Sequence, residues 1–450
     1  MTKSTATSTK KPSLHLLDPK CAGIDVGSEE LYVCVAKNDS EQEVKSFLTF
    51  TRDLKHMIHW LKENKVKSVA MESTGVYWIV PYEMLDKAGF EVVLVNAQYF
   101  KNVPGRKTDV QDCQWIQQLH SYRLLRGSFR PSDQIVELRS YVRQRSRLFE
   151  LAATQVQLMH KALTQMNIQL NHTMSDITGV SGLNIIKAIV EGKRDAKELA
   201  DLSVGLCRKN IHKIVKALEG NYRKEHVFAL EQAYTGYEFF HTQITRCEEA
   251  IKETLSLMQV YEIKCNAPKK QERKKTKSNR SPYYFDAAEM LKKATKADLT
   301  TIPGIDANIA MKIVSEVGTD MSQWANAKAF ASWLGLTPGN KISGGKVLNS
   351  RTKPTKSRAA GALRMAAMTL RRSQTALGAF FRRMRARLGA PKAITATAHK
   401  LAKILYKMML AGEDYREVGE NYYEEQYTKR VILNLNKRAK ELGYQLIKSA

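Results

Sequence analysis

The first stretch with the pattern of a strand is Cys21 to Val26, a short apolar run ending in Asp25-Val26-Gly27-Ser28. A second β-rich run, Leu31 to Lys37, follows across that turn and predicts a hairpin. Phe47 to Phe50 predicts a third strand, and Leu54 to Lys62 follows helical spacing. Val66 to Met71 has the continuous apolar character of a buried strand and ends in Glu72-Ser73-Thr74-Gly75. Val76 to Ala88 reads as a helix in spite of Pro81, and Glu91 to Asn96 as another strand. Thr108 reads as a helix N-cap, with the apolar periodic run Val110 to Leu119 behind it. Three strands in succession, then helix and strand in alternation, predict a mixed sheet covered by helices.

Beyond this point the pattern is helical. Residues 133–175 contain few breakers and place Leu138, Tyr141, Val142, Leu148, Leu151, Val156, Met159 and Leu163 at helical spacing. This predicts a long helix, half of a coiled-coil hairpin. Gly179 to Gly182 interrupts it, Leu183 to Glu191 makes a short helix, and residues 207–264 resume the long pattern. Such an antiparallel arm suits dimerisation and nucleic-acid support equally well. Residues 266–282 form a low-complexity basic linker, which serves as a tether or tracks a phosphate backbone. Thr301-Ile302-Pro303-Gly304-Ile305 is either a plain helix turn or similar to a helix-hairpin-helix, whose backbone amides face a phosphate. These breaks divide the chain into a basic tail (1–18), a mixed-sheet domain (19–130), a helical coiled-coil arm (131–265), the linker (266–283), a mainly helical domain (284–412) and C-terminal helices (413–450). The fold class is therefore α/β plus α.

Charge sharpens this picture. With 450 residues and 43% hydrophobic positions the chain can build about two to four domains. Its 72 basic and 45 acidic residues leave a net charge of +27, which calls for a polyanionic partner, nucleic acid before a membrane surface. No run approaches eighteen apolar residues, and Met1 to Lys20 lacks the apolar core of a signal peptide. Six cysteines, at 21, 34, 113, 207, 247 and 265, show no CxxC spacing and read as reduced packing residues of a cytosolic protein. The excess charge is unevenly spread: residues 321–412 hold 18 Lys and Arg and no acid. That span reads as a nucleic-acid-binding domain, with Lys341, Lys346, Arg351, Lys353, Lys356 and Arg358 as candidate contacts, joined by Arg106 and Lys107 upstream of the Thr108 cap.

Four acids carry the candidate chemistry. Asp109 and Asp112, three apart on one helix face, stand about 5–6 Å apart at Cβ. Two carboxylates that close repel unless a cation or proton lies between them, although Asp also favours the first turn of any helix. Asp25 and Glu72 end predicted strands, where α/β sheets place their chemistry and where an acid also caps a turn. A strand-one Asp, a later strand-end Glu and a helical Asp-x-x-Asp are similar in order to the two-metal site of ribonuclease-H-like nucleases, which holds two Mg²⁺ about 3.5–4 Å apart. The acid-free span has no carboxylate for such a site, so covalent chemistry there needs a hydroxyl. Ser343, in Lys341-Ile342-Ser343-Gly344-Gly345-Lys346, is placed for this; it also reads as an ordinary loop serine.

Taken together, Gly23-Ile24-Asp25-Val26-Gly27, Met71-Glu72-Ser73-Thr74-Gly75 and Lys107-Thr108-Asp109-Val110-Gln111-Asp112 resemble motifs of the DEDD transposases. So do Ile302-Pro303-Gly304-Ile305 and Leu334-Gly335-Leu336-Thr337-Pro338 with Ser343-Gly344. These are insertion-sequence recombinases related to the Piv/MooV invertases, some of them guided by a bridge RNA. The resemblance implies a RuvC-like domain whose metal tetrad is Asp25, Glu72, Asp109 and Asp112, taking Mg²⁺ with Mn²⁺ as a substitute. It implies Ser343 as nucleophile of the C-terminal transposase domain in a composite site, and partners that include element-end and target DNA, a structured guide RNA and further copies of the chain, as a dimer or tetramer. It also implies a prokaryotic cytoplasm and no membrane. The competing reading is a RuvC-like structure-selective endonuclease that hydrolyses DNA with water.

Overall fold

The computed structural model describes residues 17–38, 41–96, 108–258 and 283–447. Two units divide the chain, Met1–Arg130 and Pro131–Ala450.

The first unit is built on a five-stranded mixed sheet in the order β3-β2-β1-β4-β5. Its strands are β1 (Cys21–Val26), β2 (Glu30–Ala36), β3 (Gln42–Leu48), β4 (Ser68–Glu72) and β5 (Glu91–Val95), with α1 (Thr51–Glu63), α2 (Ile79–Lys87) and α3 (Asp109–Ser121) between and after them. β1, β2 and β3 run as an antiparallel meander, and β4 and β5 join parallel to β1. Because strand side chains alternate, each strand feeds two cores. Ile24, Val33, Val69 and Met71 pack with Leu54, Met57, Leu61 and Leu85 of α1 and α2. On the opposite face Ala70 and Val95 pack with Ile116 of α3. This is the expected ribonuclease-H-like mixed sheet. The third strand lies earlier than its apolar residues suggest, at Gln42–Leu48, and buries only Phe47. It is an edge strand, where polar and charged side chains replace the alternation of a covered one. Pro81 falls in the first turn of α2, where no N–H is needed.

The second unit opens with α4 (Asp133–Gln165), followed by α5 (Val180–Val190), α6 (Ala196–Asp201), α7 (Ile211–Leu218) and α8 (Lys224–Leu257). α4 ends ten residues short of the expected 175, at Met166 and the left-handed Asn167. The second long helix begins only at Lys224. A Cβ on Gly220 would sit 2.5 Å from Met166 O, so the chain turns there, pressed against the end of α4. α4 and α8 pair antiparallel, since Gln134 donates to Leu257 O while Gly236 lies against Gln155. The remaining elements are α9 (Ala287–Thr295), α10 (Ala307–Val317), α11 (Ala327–Trp333), the hairpin β6 (Lys341–Ser343) and β7 (Lys346–Asn349), α12 (Arg358–Thr369), α13 (Ala376–Leu388), α14 (Ala390–Ala411) and α15 (Gly419–Glu441). Between α9 and α10 the Ile302–Ile305 turn takes Gly304 to φ 86°, and a Cβ there would lie 2.7 Å from Ala366 O. The glycine is needed because that turn rests on α12.

A buried ion pair ties α4 to α8. Arg145 Nη2 lies 2.6 Å from Glu248 Oε1, and both side chains are almost fully buried. Glu248 Oε2 accepts from Tyr284 N at 3.0 Å, and the Arg145 guanidinium lies 3.8 Å from the Tyr283 ring centroid. The pair thus pins the segment that leads into α9. Arg145→Met would leave a buried carboxylate without its cation and is expected to cost about 3–5 kcal/mol. Arg145→Met with Glu248→Leu should recover most of that loss. Urea unfolding of the full chain checks both, and a single variant as stable as the double one would refute the account.

Candidate active site

The four acids arrive from three elements. Asp25 is on β1, one residue beyond the pair Ile24↔Met71, and Glu72 is one residue beyond Met71 on β4. The two acids therefore end neighbouring parallel strands, about 4.8 Å apart in the backbone. Gly23 and Asp25 alternate with Ile24, and Ala70 and Glu72 with Met71, so both acids point to the α3 face. α3 lies directly on β1: a Cβ at Gly23 would stand 2.5 Å from Cys113 O and 2.7 Å from Gln117 Cα. Only glycine lets the helix approach this closely. Gln42 Nε2 donates to Gln117 Oε1 at 2.6 Å and to Gln114 O at 3.2 Å, fixing the helix against β3 as well. Thr108 caps α3, accepting from Gln111 N at 3.3 Å, and sets Asp109 and Asp112 in the first turn.

Electrostatics shows that the four acids sense one another. The Asp25 carboxyl is pushed up to about 6, first by burial and then by Glu72, Asp109 and Asp112. Glu72 is buried, and Thr74 Oγ1 donates to its Oε1 at 2.9 Å. An all-oxygen donor set of this charge suits a hard divalent cation. Among the described residues no three such groups have already closed into a ready-made metal cage. The set fits an ion in charge and donor chemistry; its side chains have still to converge on one.

Three residues here escaped the sequence reading. Gly23 makes the close helix approach, and Thr74 orients Glu72. Tyr32, directly opposite Asp25 in the β1–β2 ladder, donates to Glu30 Oε2 at 2.9 Å. Its hydroxyl is held above its ordinary pKa chiefly by Glu30, with smaller contributions from Asp109 and Asp25. The register of the first hairpin would have pointed to it. Arg106 and Lys107 lie outside the described residues, as do Cys265 and nearly all of the basic linker. Cys21, Cys34 and Cys113 are buried free thiols, consistent with packing roles.

Ser343 belongs to the second unit. It ends β6, paired with Lys346 across Gly344 and Gly345, whose φ values of 54° and 77° make a tight hairpin turn rather than an open loop. The hairpin is exposed throughout, and Lys341, Lys346, Arg351, Lys353, Lys356 and Arg358 line it and the strap running back to α12. Two other serines are already engaged. Ser357 caps α12 by accepting from Ala360 N at 3.2 Å. Ser373, expected inside a helix, instead lies in the turn before α13, its Oγ 2.9 Å from Thr375 Oγ1. Some cations of the acid-free span are neutralised from outside it: Arg382 pairs with Glu420 and Arg383 with Glu424, both acids on α15.

Residues 22–168 match the family model for transposases of the IS110 DEDD type. Residues 296–382 match the model described as transposase, IS116/IS110/IS902 family. No curated protein matches the chain. Among the described residues no helix is long and apolar enough to cross a membrane.

Proposed function

The chain belongs to the IS110 family of DEDD transposases, enzymes that process DNA, and from that premise we propose that Asp25, Glu72, Asp109 and Asp112 are its metal-binding tetrad and Ser343 its nucleophile. The observation that carries this reading is the raised Asp25 carboxyl, pushed up by three acids from two further elements on one face of the sheet. The four carboxylates would hold Mg²⁺, or Mn²⁺ in its place, once their side chains turn inward. Such ions supply charge neutralisation at the phosphate and activation of the attacking oxygen. A serine hydroxyl is a poor nucleophile near neutral pH and needs a base, which the acid-free span lacks. The tetrad supplies it in a composite site, formed within one chain or between copies. The Ser343 Oγ–P bond forms, its proton passes to a carboxylate, and the P–O bond to the departing strand breaks as that oxygen takes up a proton. The phosphoserine link conserves the bond for rejoining.

In this reading residues 19–130 are the metal domain, 131–265 the arm, and 284–412 the transposase domain, with the linker 266–283 before it and helices 413–450 after it. Concerted cutting of several strands requires a dimer or tetramer. Element ends and target are the DNA substrates, and a structured RNA is the guide. The exposed strap of Arg351, Lys353, Lys356 and Arg358 grips the phosphates. Replacing all four by Ala should flatten the slope of log affinity against log salt by about 3, close to the 0.9 per phosphate expected for duplex DNA. A fluorescence-anisotropy titration across salt concentrations checks this. An unchanged slope would remove the strap from the interface.

A further inference from the structure

We propose that the groove between α13, α14 and α15 binds unpaired nucleotides of a single nucleic-acid strand, with a base against Tyr423 and Phe380 and the adjoining phosphates against Lys400 and Arg430. The proposal rests on the reading of the chain as a nucleic-acid enzyme. Its residues from Lys400 onward lie beyond both stretches that match the family, 22–168 and 296–382.

Two cavities of about 370 and 420 Å³ share Lys400, Ile404, Tyr423 and Arg430 and so form one groove. Each is within the size range of small-ligand sites, about 300–1,000 Å³. Lys400 Nζ stands 4.5 Å from the Phe380 ring centroid and 5.1 Å from that of Tyr423. The two rings meet edge to face, 6.3 Å apart at 88°. Lys403, Lys407 and His399 extend the cationic wall. The acids nearby are already used. Glu417 accepts from Ala376 N, Gly419 N and the Tyr415 hydroxyl, while Glu420 and Glu424 pair with Arg382 and Arg383. Burial lowers the Lys400 pKa, and Arg430 lowers it further.

Two cations brought together in a half-buried groove repel each other, and packing alone gives no reason to keep them there. An anion relieves that repulsion. The aromatic walls narrow the choice of anion, because cations beside ring faces match a phosphate joined to a flat base. In a duplex the base faces are hidden by stacking, so the strand must be unpaired. RNA and DNA share this chemistry, and the experiment separates them.

The test uses the full chain with fluorescein-labelled twelve-nucleotide oligo-dT, oligo-rU and a twelve-base-pair duplex. Tyr423→Leu should weaken single-strand binding roughly 5- to 100-fold, the effect of losing one stacked base, while Tyr423→Phe should retain it. Lys400→Gln with Arg430→Gln should reduce the single-strand salt slope by about 1.4, from two lost phosphate contacts. Oligonucleotides carrying 5-iodouridine should crosslink to the peptide that contains Tyr423. The oligomer bound more tightly identifies the natural strand. Single-strand affinity and slope unchanged in folded groove variants, a crosslink elsewhere, or equal competition by hexaglutamate would overturn the proposal while leaving the transposase reading intact. A wild-type chain that binds none of the three nucleic acids would sink both.

Discussion

Asp25→Asn is expected to abolish strand cleavage and, at the same time, to make the metal-free protein more stable. The two effects have one cause. Asp25 is the carboxylate on which the other three acids converge, and its folded-state value of about 6 lies above the ordinary 3.8. Ionised Asp25 therefore opposes folding. That cost is fully present above pH 6, fades as the pH falls toward 4, and is absent below. Allowing for its partial exposure, removing the charge is worth on the order of 1–2 kcal/mol, or a few degrees in melting temperature. In the presence of chelator the wild type should gain stability between pH 6 and pH 4, and the Asn variant should lack that gain. Added Mg²⁺ should reverse the order, raising the wild-type melting temperature and leaving the variant unmoved, because the ion binds the folded tetrad only. Asp112→Asn should likewise lose cleavage while keeping its fold. Full recombination by either variant in Mg²⁺ would remove the metal site from the mechanism.

The four acids were legible before the fold because each sits where a local rule speaks. Asp25 and Glu72 end apolar runs, and Thr108 announces the helix whose first turn holds Asp109 and Asp112. What brings them together was not legible. Gly23 looks like any strand glycine until α3 is known to cross β1, and Thr74 like any turn residue until its hydroxyl meets Glu72. The misplaced third strand and the overlong arm helices failed for related reasons. An edge strand carries no apolar period, and the break at Gly220 comes from contact with Met166, 54 positions earlier in the chain. Charge misled in one respect. The acid-free span looked wholly unbalanced, but α15 returns Glu420 and Glu424 to two of its arginines.

Ser343→Ala should bind DNA as tightly as the wild type and yet form neither a covalent protein–DNA adduct nor a recombinant product. Binding is spared because the hydroxyl contributes no charge, and because Lys341, Lys346 and the strap remain on the surface. The hairpin is spared because its turn depends on Gly344 and Gly345, and Ser343 is exposed. Chemistry is lost because no neighbour replaces the hydroxyl. Ser357 is committed to the α12 cap and Ser373 is paired with Thr375, so Ser350 is the nearest alternative. Trapping the wild type on a nicked substrate and digesting it should yield a nucleotide-modified peptide containing Ser343; modification at Ser350 would move the assignment one strand along the hairpin. Strand cleavage by Ser343→Ala at the wild-type rate would show that water attacks directly. The tetrad would then serve a hydrolytic nuclease, with the hairpin only gripping its substrate.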